Sequence, residues 1–405
     1  MNGFREAYDV LLKVYGSGAR LKQALADTPL EREHALAVKT AYGVLENDGY
    51  LSLCIRTFAE KSPKQAVRIV LKIALYHLIF LDKPRYAVTS GAVELVKELG
   101  KGGAAGFVNA FLRSFDEGKV VLPAGEEGLV LRSNFPRFAV REIVEKYGER
   151  AERILTARSR GVTVRFVRGM EKYLSLPHGD TPFESVKIFP NFVRDEGFFC
   201  GDYTFQSVGS VAICDVVEPC ERLLDACAAP GGKSVLLSKK CGQVTACELH
   251  AHRVKLIESY CARMGADNVA VRQADATVTE STFIEAFDGV LCDVPCSGLG
   301  TVAENPDLPL NKREEDMAGL TALQRAILFN CARYVKRGGA LYYSTCSLLS
   351  EENDGAVQAF LRAHPDFKAE DITSPLVHER TEYGLQFLPD TAFGAGFYVA
   401  KLRKL

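Results

Sequence analysis

The chain has 405 residues, of which 47% are hydrophobic and 25% are charged, and its net charge is −1. This composition is typical of a folded globular protein and excludes a disordered chain or a histone-like polycation. The charge is uneven along the sequence, because residues 1–172 carry a net charge of +8 and residues 173–405 one of −9. A basic front half is compatible with a polyanionic partner but does not establish one.

The sequence predicts a cytoplasmic protein with no membrane segment. Its first ten residues contain acidic side chains and no apolar stretch, so they do not resemble a signal peptide. The most apolar run, residues 67–81, is too short to span a bilayer and contains Arg68, Lys72 and His77. The 12 cysteines form no CxxC pair and no zinc-ligand spacing, which favours free thiols and no metal site.

Residues 1–115 are predicted to be helical, because apolar side chains recur there at intervals of three and four residues. The run 67–81 is apolar on nearly all sides, so we expect it at the centre of a bundle. A glycine-rich break separates two further predicted helices at 92–99 and 107–115. The stretch 118–130 is predicted to be a linker or loop.

Residues 132–172 carry a net charge of +6 and open a small mixed region that we expect to extend to about residue 200. Helices are predicted at 140–147 and 151–157, and alternation predicts a strand at 162–167. The arginines of this region either bind RNA phosphates or form a solvated helix face, since glutamates alternate with them. They are Arg132, Arg137, Arg141, Arg150, Arg153, Arg158, Arg160, Arg165 and Arg168.

From residue 222 onward, strands and helices alternate, which predicts a doubly wound, mostly parallel α/β sheet. The predicted strands are 222–227, 244–248, 269–272, 289–293, 341–344 and 397–402. The predicted helices start at 234, cover 252–264 and cover 320–335, with a stop signal at the glycines 338–339. The chain is therefore divided into an all-helical domain at 1–120, a small basic α+β subdomain at 130–200 and an α/β domain at 201–405.

A glycine turn, 227–233, follows the first of these strands, and a helix opens directly after it. Glycines allow close approach of the backbone to a ligand, although a turn of this kind also serves close packing. The turn matches neither GxGxxG nor a Walker A loop, so it is weak evidence for phosphate binding.

Glu248 follows the second strand, where it either binds ribose hydroxyls or caps a helix. Asp275 follows the third strand, as an acceptor for an adenine amino group or as a solvated loop acid.

Two cysteines, Cys296 and Cys346, follow the fourth and fifth strands on the cleft side of the predicted sheet. Thiols at such positions without metal-ligand spacing favour covalent chemistry. Taken singly, each is equally compatible with a small buried hydrophobic residue.

Taken in order, these features resemble the Sun/Nop2 (Fmu-type) family of RNA cytosine-5 methyltransferases. The motifs that carry the resemblance are CAAPGGK (227–233), Glu248, Asp275, DVPCSGLGT (293–301), NPD (305–307) and STCS (344–347) followed by Glu351-Glu352-Asn353. Residues 35–51 and 102–113 resemble the NusB-like domain of the bacterial branch, which methylates small-subunit ribosomal RNA. The resemblance implies a Rossmann-like methyltransferase domain behind a NusB-like, RNA-binding helical bundle at 1–120 and a small α+β subdomain, with S-adenosylmethionine as cofactor and ribosomal RNA as partner.

The same resemblance implies roles for individual residues. The Thr-Cys cysteine of the family attacks cytosine, which implies Cys346 as the nucleophile and leaves Cys296 to product release. Because DNA cytosine-5 methyltransferases attack with a Pro-Cys thiol, spacing alone cannot assign these two roles. Lys233 is expected to favour the thiolate by its charge, and Asp293 to hold the cytosine edge or the methionine end of the ligand. The implied cofactor residues are Cys227, Ala228, Ala229, Pro230, Gly231, Gly232, Lys233, Glu248, Asp275 and Asp293.

The sequence departs from the family pattern in segments around the expected site. Val302-Ala303-Glu304 replaces two basic residues, and Pro309-Leu310-Asn311 replaces a basic-Trp pair. Cys200-Gly201-Asp202 replaces VQD, and Ala395-Gly396-Phe397-Tyr398 replaces DGFF. The target cytosine and the affinity for RNA are therefore left open by the sequence.

Other functions remain compatible with the same residues. One is the same chemistry on another ribosomal RNA or tRNA cytosine, and another is a non-catalytic ribosome-assembly or RNA-binding factor that keeps the fold. A DNA cytosine methylase is disfavoured by the Thr-Cys motif and by the lack of a target-recognition insertion. The oligomeric state is also left open, with a monomer as one interpretation.

Overall fold

The computed structural model describes residues 2–29, 34–159 and 161–405. Its contacts divide the chain into two compact units, Met1–Thr156 with Asn305–Lys312 and Ala157–Glu304 with Arg313–Leu405. This grouping differs from the three ranges expected from the sequence, because the helices between residues 125 and 155 pack with the first unit.

The first unit is helical, as predicted, and its core surrounds α5. The described helices are α1 (Asn2–Ser17), α2 (Leu21–Ala26), α3 (His34–Glu46), α4 (Asp48–Phe58), α5 (Gln65–Ile79), α6 (Arg85–Glu98), α7 (Ala105–Ser114), α8 (Gly125–Ser133), α9 (Arg137–Tyr147) and α10 (Ala151–Leu155). Residues 69–77 of α5 are all buried, which confirms the central position expected for this run. No helix among the described residues is both long and apolar enough to cross a membrane.

The linker predicted at 118–130 is wrong over its second half, where α8 forms. Glu126 and Glu127 lie in the first turn of α8, where carboxylates favour the positive end of the helix dipole. Leu129 is buried, and Asn134 ends the helix in the left-handed region with φ 61°. The two glycines of this stretch suggested a loop, but tertiary burial of Leu129 stabilises the helix.

The second unit opens with a four-stranded antiparallel sheet in the order β2-β3-β1-β4. Its strands are β1 (Val162–Phe166), β2 (Gly179–Asp180), β3 (Val186–Phe189) and β4 (Tyr203–Phe205), and the short helix α11 (Glu196–Phe199) precedes β4. Aromatic side chains fill its core, where Phe166, Phe189, Phe192 and Tyr203 make edge or tilted ring contacts. The strand predicted at 162–167 is thereby confirmed as β1.

A nine-stranded mixed sheet forms the remainder of the second unit, in the order β11-β12-β13-β9-β8-β5-β6-β7, with β10 paired to β13. The strands are β5 (Arg222–Asp225), β6 (Gln243–Glu248), β7 (Val269–Gln273), β8 (Phe287–Asp293), β9 (Val335–Thr345), β10 (Phe367–Glu370), β11 (Glu379–Arg380), β12 (Gly384–Phe387) and β13 (Phe397–Lys404). The helices are α12 (Val208–Val216), α13 (Gly232–Leu237), α14 (Ala251–Met264), α15 (Met317–Ala332) and α16 (Asp354–Ala363).

The predicted doubly wound architecture is confirmed for strands β5 to β9, which are mutually parallel. Successive side chains alternate between two cores. Leu223 and Tyr342 pack on the side of α12, whereas Leu224 and Tyr343 pack on the side of α15 and α16. The strand order reverses between β5 and β8, so a crevice opens beyond their carboxyl ends.

The helix predicted at 320–335 ends earlier than expected, and the glycines after it lie within a strand. The helix α15 ends at Ala332, and β9 begins at Val335 and continues through Gly338 and Gly339. Gly338 adopts φ 75°, and the pairing of β8 with β9 shifts register across this point. The glycine pair therefore forms a bulge in β9, which a sequence pattern does not distinguish from a helix stop.

Candidate active site

The residues expected to carry chemistry follow the carboxyl ends of the parallel strands. Register places Asp225 of β5 beside Leu291 of β8, and Asp293 of β8 beside Ser344 of β9. Because parallel strands end at one edge of a sheet, their following loops share that edge. The site is thus assembled from segments that are far apart in sequence.

The glycine turn after β5 passes close to α14 and leads into α13. Gly231 has φ 104°, and a Cβ atom at this residue would lie 3.2 Å from Ile257 Cγ2. Ala228 is buried, and Pro230 is exposed. A side chain at position 231 would be strained, so glycine allows this turn its close approach and leaves its backbone N–H groups near the sheet edge.

Lys233, in the first turn of α13, pairs with Asp293 at the end of β8. Lys233 Nζ donates to Asp293 Oδ2 at 2.6 Å, and Ser344 Oγ donates to Asp293 Oδ1 at 2.7 Å. Burial lowers the pKa of Lys233, but the charge of Asp293 and the hydrogen bond to it outweigh burial and hold the pKa above its usual value. In the described part of the chain, Lys233 donates to neither Cys296 nor Cys346, so its expected influence on the thiols would act over a longer distance.

Glu248 and Asp275 follow adjacent strands but differ in their surroundings. Glu248 is 5% exposed, and its carboxylate accepts from His250 N at 3.0 Å and pairs with Arg253 at 3.2 Å. Asp275 is exposed, and Thr277 donates to its Oδ1 through both N and Oγ1, which lowers the pKa of Asp275. Glu248 is therefore the more rigidly held acceptor of the two.

Cys296 and Cys346 lie side by side although they are 50 residues apart in sequence. Their Sγ atoms are 3.0 Å apart, and the Cys346 N–H donates to Cys296 Sγ at 3.2 Å. Both cysteines are partly exposed, and all twelve cysteines of the chain are free thiols. Among the described residues, no group of His, Cys, Asp and Glu side chains is arranged to hold a metal ion. The arrangement presents two adjacent sulfurs to the crevice.

The two cysteine loops are joined by a buried carboxylate, Glu352. Its Oε1 accepts from Ser297 N at 2.7 Å and from Gln324 Nε2 at 2.9 Å, and its Oε2 accepts from the Ser347 hydroxyl. Ser297 follows Cys296 and Ser347 follows Cys346, so one side chain fixes both loops. The sequence motif contains Glu352 without indicating a role for it, and only the fold assigns one.

Asp225 is a site residue that the sequence reasoning missed. Ser234 Oγ donates to its Oδ2 at 2.6 Å, whereas its Oδ1 is buried and has no partner among the described residues. Burial raises the pKa of Asp225 to about 6, although the hydrogen bond from Ser234 lowers it. Its position at the end of the first α/β strand was the available signal.

The raised pKa of Asp225 predicts that the free energy of unfolding depends on pH. A carboxyl group with a raised pKa in the folded protein contributes stability that is complete below its unfolded pKa and is lost as pH rises through about 6. The unfolding free energy should therefore fall by about 2 kcal/mol between pH 4 and 7.5, relative to Asp225→Asn. Urea denaturation of both proteins across this range measures the difference, with Asp267→Asn at an exposed aspartate as control. Parallel stability curves for the wild type and Asp225→Asn would contradict the assignment.

The arginines of the basic region do not act as a uniform group. Arg165 is buried and donates to Gln206 at 2.7 Å, so it is not available to a phosphate. Arg132 pairs with Glu152 at 3.0 Å, and Arg168 pairs with Asp202 at 2.5 Å. Arg137 approaches Glu127 at 4.0 Å, Arg141, Arg153 and Arg158 are exposed, and Arg160 lies outside the described residues. A role in phosphate binding stays a prediction for the exposed members.

Known protein families match both the helical part and the α/β part of the chain. Residues 215–403 match a family model described as 16S rRNA methyltransferase RsmB/F, and residues 5–117 match the NusB family. The chain is 32% identical to a probable ribosomal RNA small subunit methyltransferase B of Bacillus subtilis, over 96% of this chain and 94% of that protein. It is 30% identical to ribosomal RNA small subunit methyltransferase B of Xanthomonas campestris, over 98% of this chain and 95% of that protein.

Solved structures with a similar fold include PH0851, with a TM-score of 0.85 at 23% identity over 99% of this chain and 98% of that one. NSun6 from Pyrococcus horikoshii with SFG has a TM-score of 0.58 at 21% identity, over 67% of this chain and 99% of that one. At these identities the likeness concerns the fold, which agrees with the helical and α/β parts described above.

Proposed function

The chain belongs to the RsmB/F family of 16S rRNA methyltransferases, and we propose that it methylates carbon 5 of a cytosine in small-subunit ribosomal RNA through a covalent bond from Cys346. The observation that carries the covalent mechanism is the 3.0 Å separation of the Cys296 and Cys346 sulfurs at the crevice of the sheet. Cytosine-5 methylation by this route needs an attacking thiol and a later step that releases it.

S-adenosylmethionine is the methyl donor, and the residues at the sheet edge fit it. The buried carboxylate of Glu248 at the end of β6 suits ribose hydroxyls, and the exposed carboxylate of Asp275 suits an adenine amino group. The tight turn at Gly231 and the partly exposed carboxylate of Asp293 suit the charged methionine end. When bound, the donor supplies an electrophilic methyl group.

The local chemistry of the two thiols supports Cys346 as the nucleophile. The hydrogen bond with Cys346 and burial together raise the pKa of Cys296 well above its usual value. The two sulfurs lie within hydrogen-bonding distance, so a Cys296 thiol that keeps its proton can donate to the Cys346 sulfur. A thiolate is the reactive form, because the protonated thiol is a weak nucleophile.

The reaction then follows from what each sulfur can do. The Cys346 thiolate adds to carbon 6 of cytosine, and the electron pair released onto carbon 5 allows that carbon to take the methyl group. The carbon-5 proton must leave before the bond between Cys346 and carbon 6 can break. Cys296, beside the bond, is assigned to this release step: in its thiolate form, after its own proton has passed to solvent, it accepts the carbon-5 proton, and the electron pair of that C–H bond expels the Cys346 thiolate. Asp293, fixed by Lys233 and Ser344, is assigned to the cytosine edge or the methionine end of the donor.

Product analysis tests the proposed function. The full-length protein is incubated with labelled S-adenosylmethionine and, in separate reactions, 16S rRNA or tRNA that lacks its native methylations, and each RNA is digested to nucleosides. We expect the label in 5-methylcytidine, and bisulfite sequencing then locates the position. Label in tRNA alone would show that tRNA is the substrate in place of 16S rRNA. Label in a nucleoside other than 5-methylcytidine would overturn cytosine-5 chemistry. RNA binding without label would favour a non-catalytic assembly factor.

Because Glu352 fixes both cysteine loops, we predict that its substitution slows catalysis. Glu352→Gln replaces one carboxylate oxygen by an NH2 group that cannot accept; if that group faces Ser297 N and Gln324 Nε2, both donors lose their partner, and in the other orientation the charge that holds all three donors is still lost. We expect kcat to fall by about 100-fold with little change in KM, because misplaced reacting groups lower the rate of chemistry. Glu351→Gln, at the exposed neighbouring position, is the matched control. A change in thermal stability with unaltered kcat would reduce Glu352 to a structural role.

A further inference from the structure

A cleft of about 720 Å³ lies in the helical unit, and nothing in the proposed reaction uses it. Helices α1, α4 and α5 form most of its lining, and Leu131 of α8 and Leu310 complete it. All of these residues belong to the first unit, including the segment Asn305–Lys312 that contains Leu310. The volume is within the range of about 300–1,000 Å³ that is typical of small-ligand sites.

A buried polar cluster forms part of the lining of this cleft. The Lys72 ammonium and the Tyr15 hydroxyl both donate to Asp48 Oδ1, and the ammonium lies 4.8 Å from the centre of the Tyr15 ring. Lys72 is only 4% exposed. Charges buried in a helical core are costly unless they are paired. Asp48 Oδ2 accepts no hydrogen bond from the described residues, so one oxygen of the cluster is left for another donor.

The remaining lining combines apolar surface with cationic groups. Val14, Ile55 and the two leucines supply apolar contacts, and Arg56 and Arg68 supply guanidinium groups. Glu60 is a second acid at the cleft. Apolar walls suit the faces of an aromatic ring, a free carboxylate oxygen suits an amino group on its edge, and guanidinium groups suit a phosphate.

From these contacts we propose that the cleft binds one unpaired nucleotide of the substrate RNA, with an amino-bearing base against Asp48 and its phosphate against Arg56 and Arg68. This inference rests on the proposed function, which supplies the RNA. Proteins read single-stranded RNA mainly by taking splayed bases into pockets of this kind. The cleft is thus a second contact for the RNA, apart from the target cytosine.

The segment Asn305–Lys312, which carries Leu310, follows the loop of Cys296 in the chain and so connects the cleft covalently to that loop. Asp307 is 5% exposed and approaches Arg20 at 3.5 Å, and Leu310 packs against the helical core. Asn305 follows Cys296 by nine residues. A nucleotide against Leu310 would therefore touch a segment that continues directly into the loop of Cys296.

Binding measurements on the full-length protein without a methyl donor test the proposal. The probes are a 12-nucleotide single-stranded RNA, CMP and UMP; at carbon 4 of the base, CMP carries an amino group where UMP carries a carbonyl oxygen. We expect CMP to bind about tenfold more tightly than UMP, because the cytosine amino group donates to Asp48 Oδ2, whereas the uracil carbonyl oxygen in that place would be repelled by the carboxylate. RNA containing 5-iodocytidine should crosslink under ultraviolet light to the peptide that contains Tyr15.

Substitutions at the cleft test where the probes bind. Arg56→Glu and Ser52→Trp should each weaken binding of the RNA by about tenfold, by charge repulsion and by filling the cleft. Arg113→Glu makes the same change of charge on the exposed side of α7 and should change the affinity by less than about twofold. Arg56 is exposed, so its variant keeps the test valid if Ser52→Trp does not fold.

The possible results distinguish a failure of nucleotide binding in the cleft from a failure of the proposed methyltransferase function. Equal losses for Arg56→Glu and Arg113→Glu would overturn the cleft as an RNA site. Cleft-dependent binding of CMP with unaltered RNA affinity would overturn the RNA assignment and leave a free nucleotide as the ligand. Since no methyl donor is present, a failure to form 5-methylcytidine would leave these binding results unaffected.

Discussion

Cys346→Ala should abolish methyl transfer, with kcat reduced by at least about 10³-fold, because it removes the sulfur that we assign to add to carbon 6 of cytosine. The alanine variant keeps the backbone N–H that donates to Cys296, so the loop should remain folded. Single-turnover assays with labelled S-adenosylmethionine and 16S rRNA measure the loss. Binding of the methyl donor should be unchanged, since the donor residues lie on other strands.

A matched control for this loss is Cys200→Ala, which removes an exposed thiol from another part of the same unit. This variant should retain nearly full activity. If Cys346→Ala retained more than about a tenth of the wild-type rate, a covalent route through this sulfur would be excluded, and a direct transfer would have to be considered.

Cys296→Ala should produce the opposite signature, a covalent adduct between protein and RNA. If Cys296 assists release, its removal leaves the bond between Cys346 and carbon 6 intact after methylation. The adduct should survive denaturing gel electrophoresis as a band of reduced mobility that requires both RNA and methyl donor. Turnover should fall steeply, whereas the first methyl transfer should still occur.

The double variant Cys296→Ala/Cys346→Ala controls for nonspecific crosslinking and should give no such band. An adduct formed by Cys346→Ala and not by Cys296→Ala would reverse the two roles. That outcome is chemically reasonable, because the sulfurs are only 3.0 Å apart and the spacing of the motifs alone does not distinguish them.

The comparison of sequence with structure shows where local patterns were informative. The strands predicted at 222–227, 244–248, 269–272, 289–293 and 397–402 are present with bounds that differ by at most two residues. The first four of these are parallel strands and the last is β13, which is antiparallel to β9; each contains a short apolar run that makes it recognisable. The short strands β10, β11 and β12 were not predicted, since they pair in antiparallel fashion through distant residues and have no distinct local pattern.

Glu352 shows why part of the site escaped sequence reasoning. An acid beside a second acid, Glu351, gives no local sign that it is fully buried between two loops. Its hydrogen bonds to Ser297 and Gln324 join residues that are 55 and 28 positions away. A polar group in this position is favourable only because the fold brings its donors to it.

The sequence by itself determined the helical front, the alternating strands and the order of the motifs, because these depend on local periodicity and on short runs of residues. Only the tertiary structure decided that Cys296 and Cys346 are adjacent, that Asp225 has an orphaned oxygen and that the segment of Leu310 packs with the helices. These are contacts between distant parts of the chain. They arise from the pairing of strands and the burial of side chains, and neither is encoded in a local pattern.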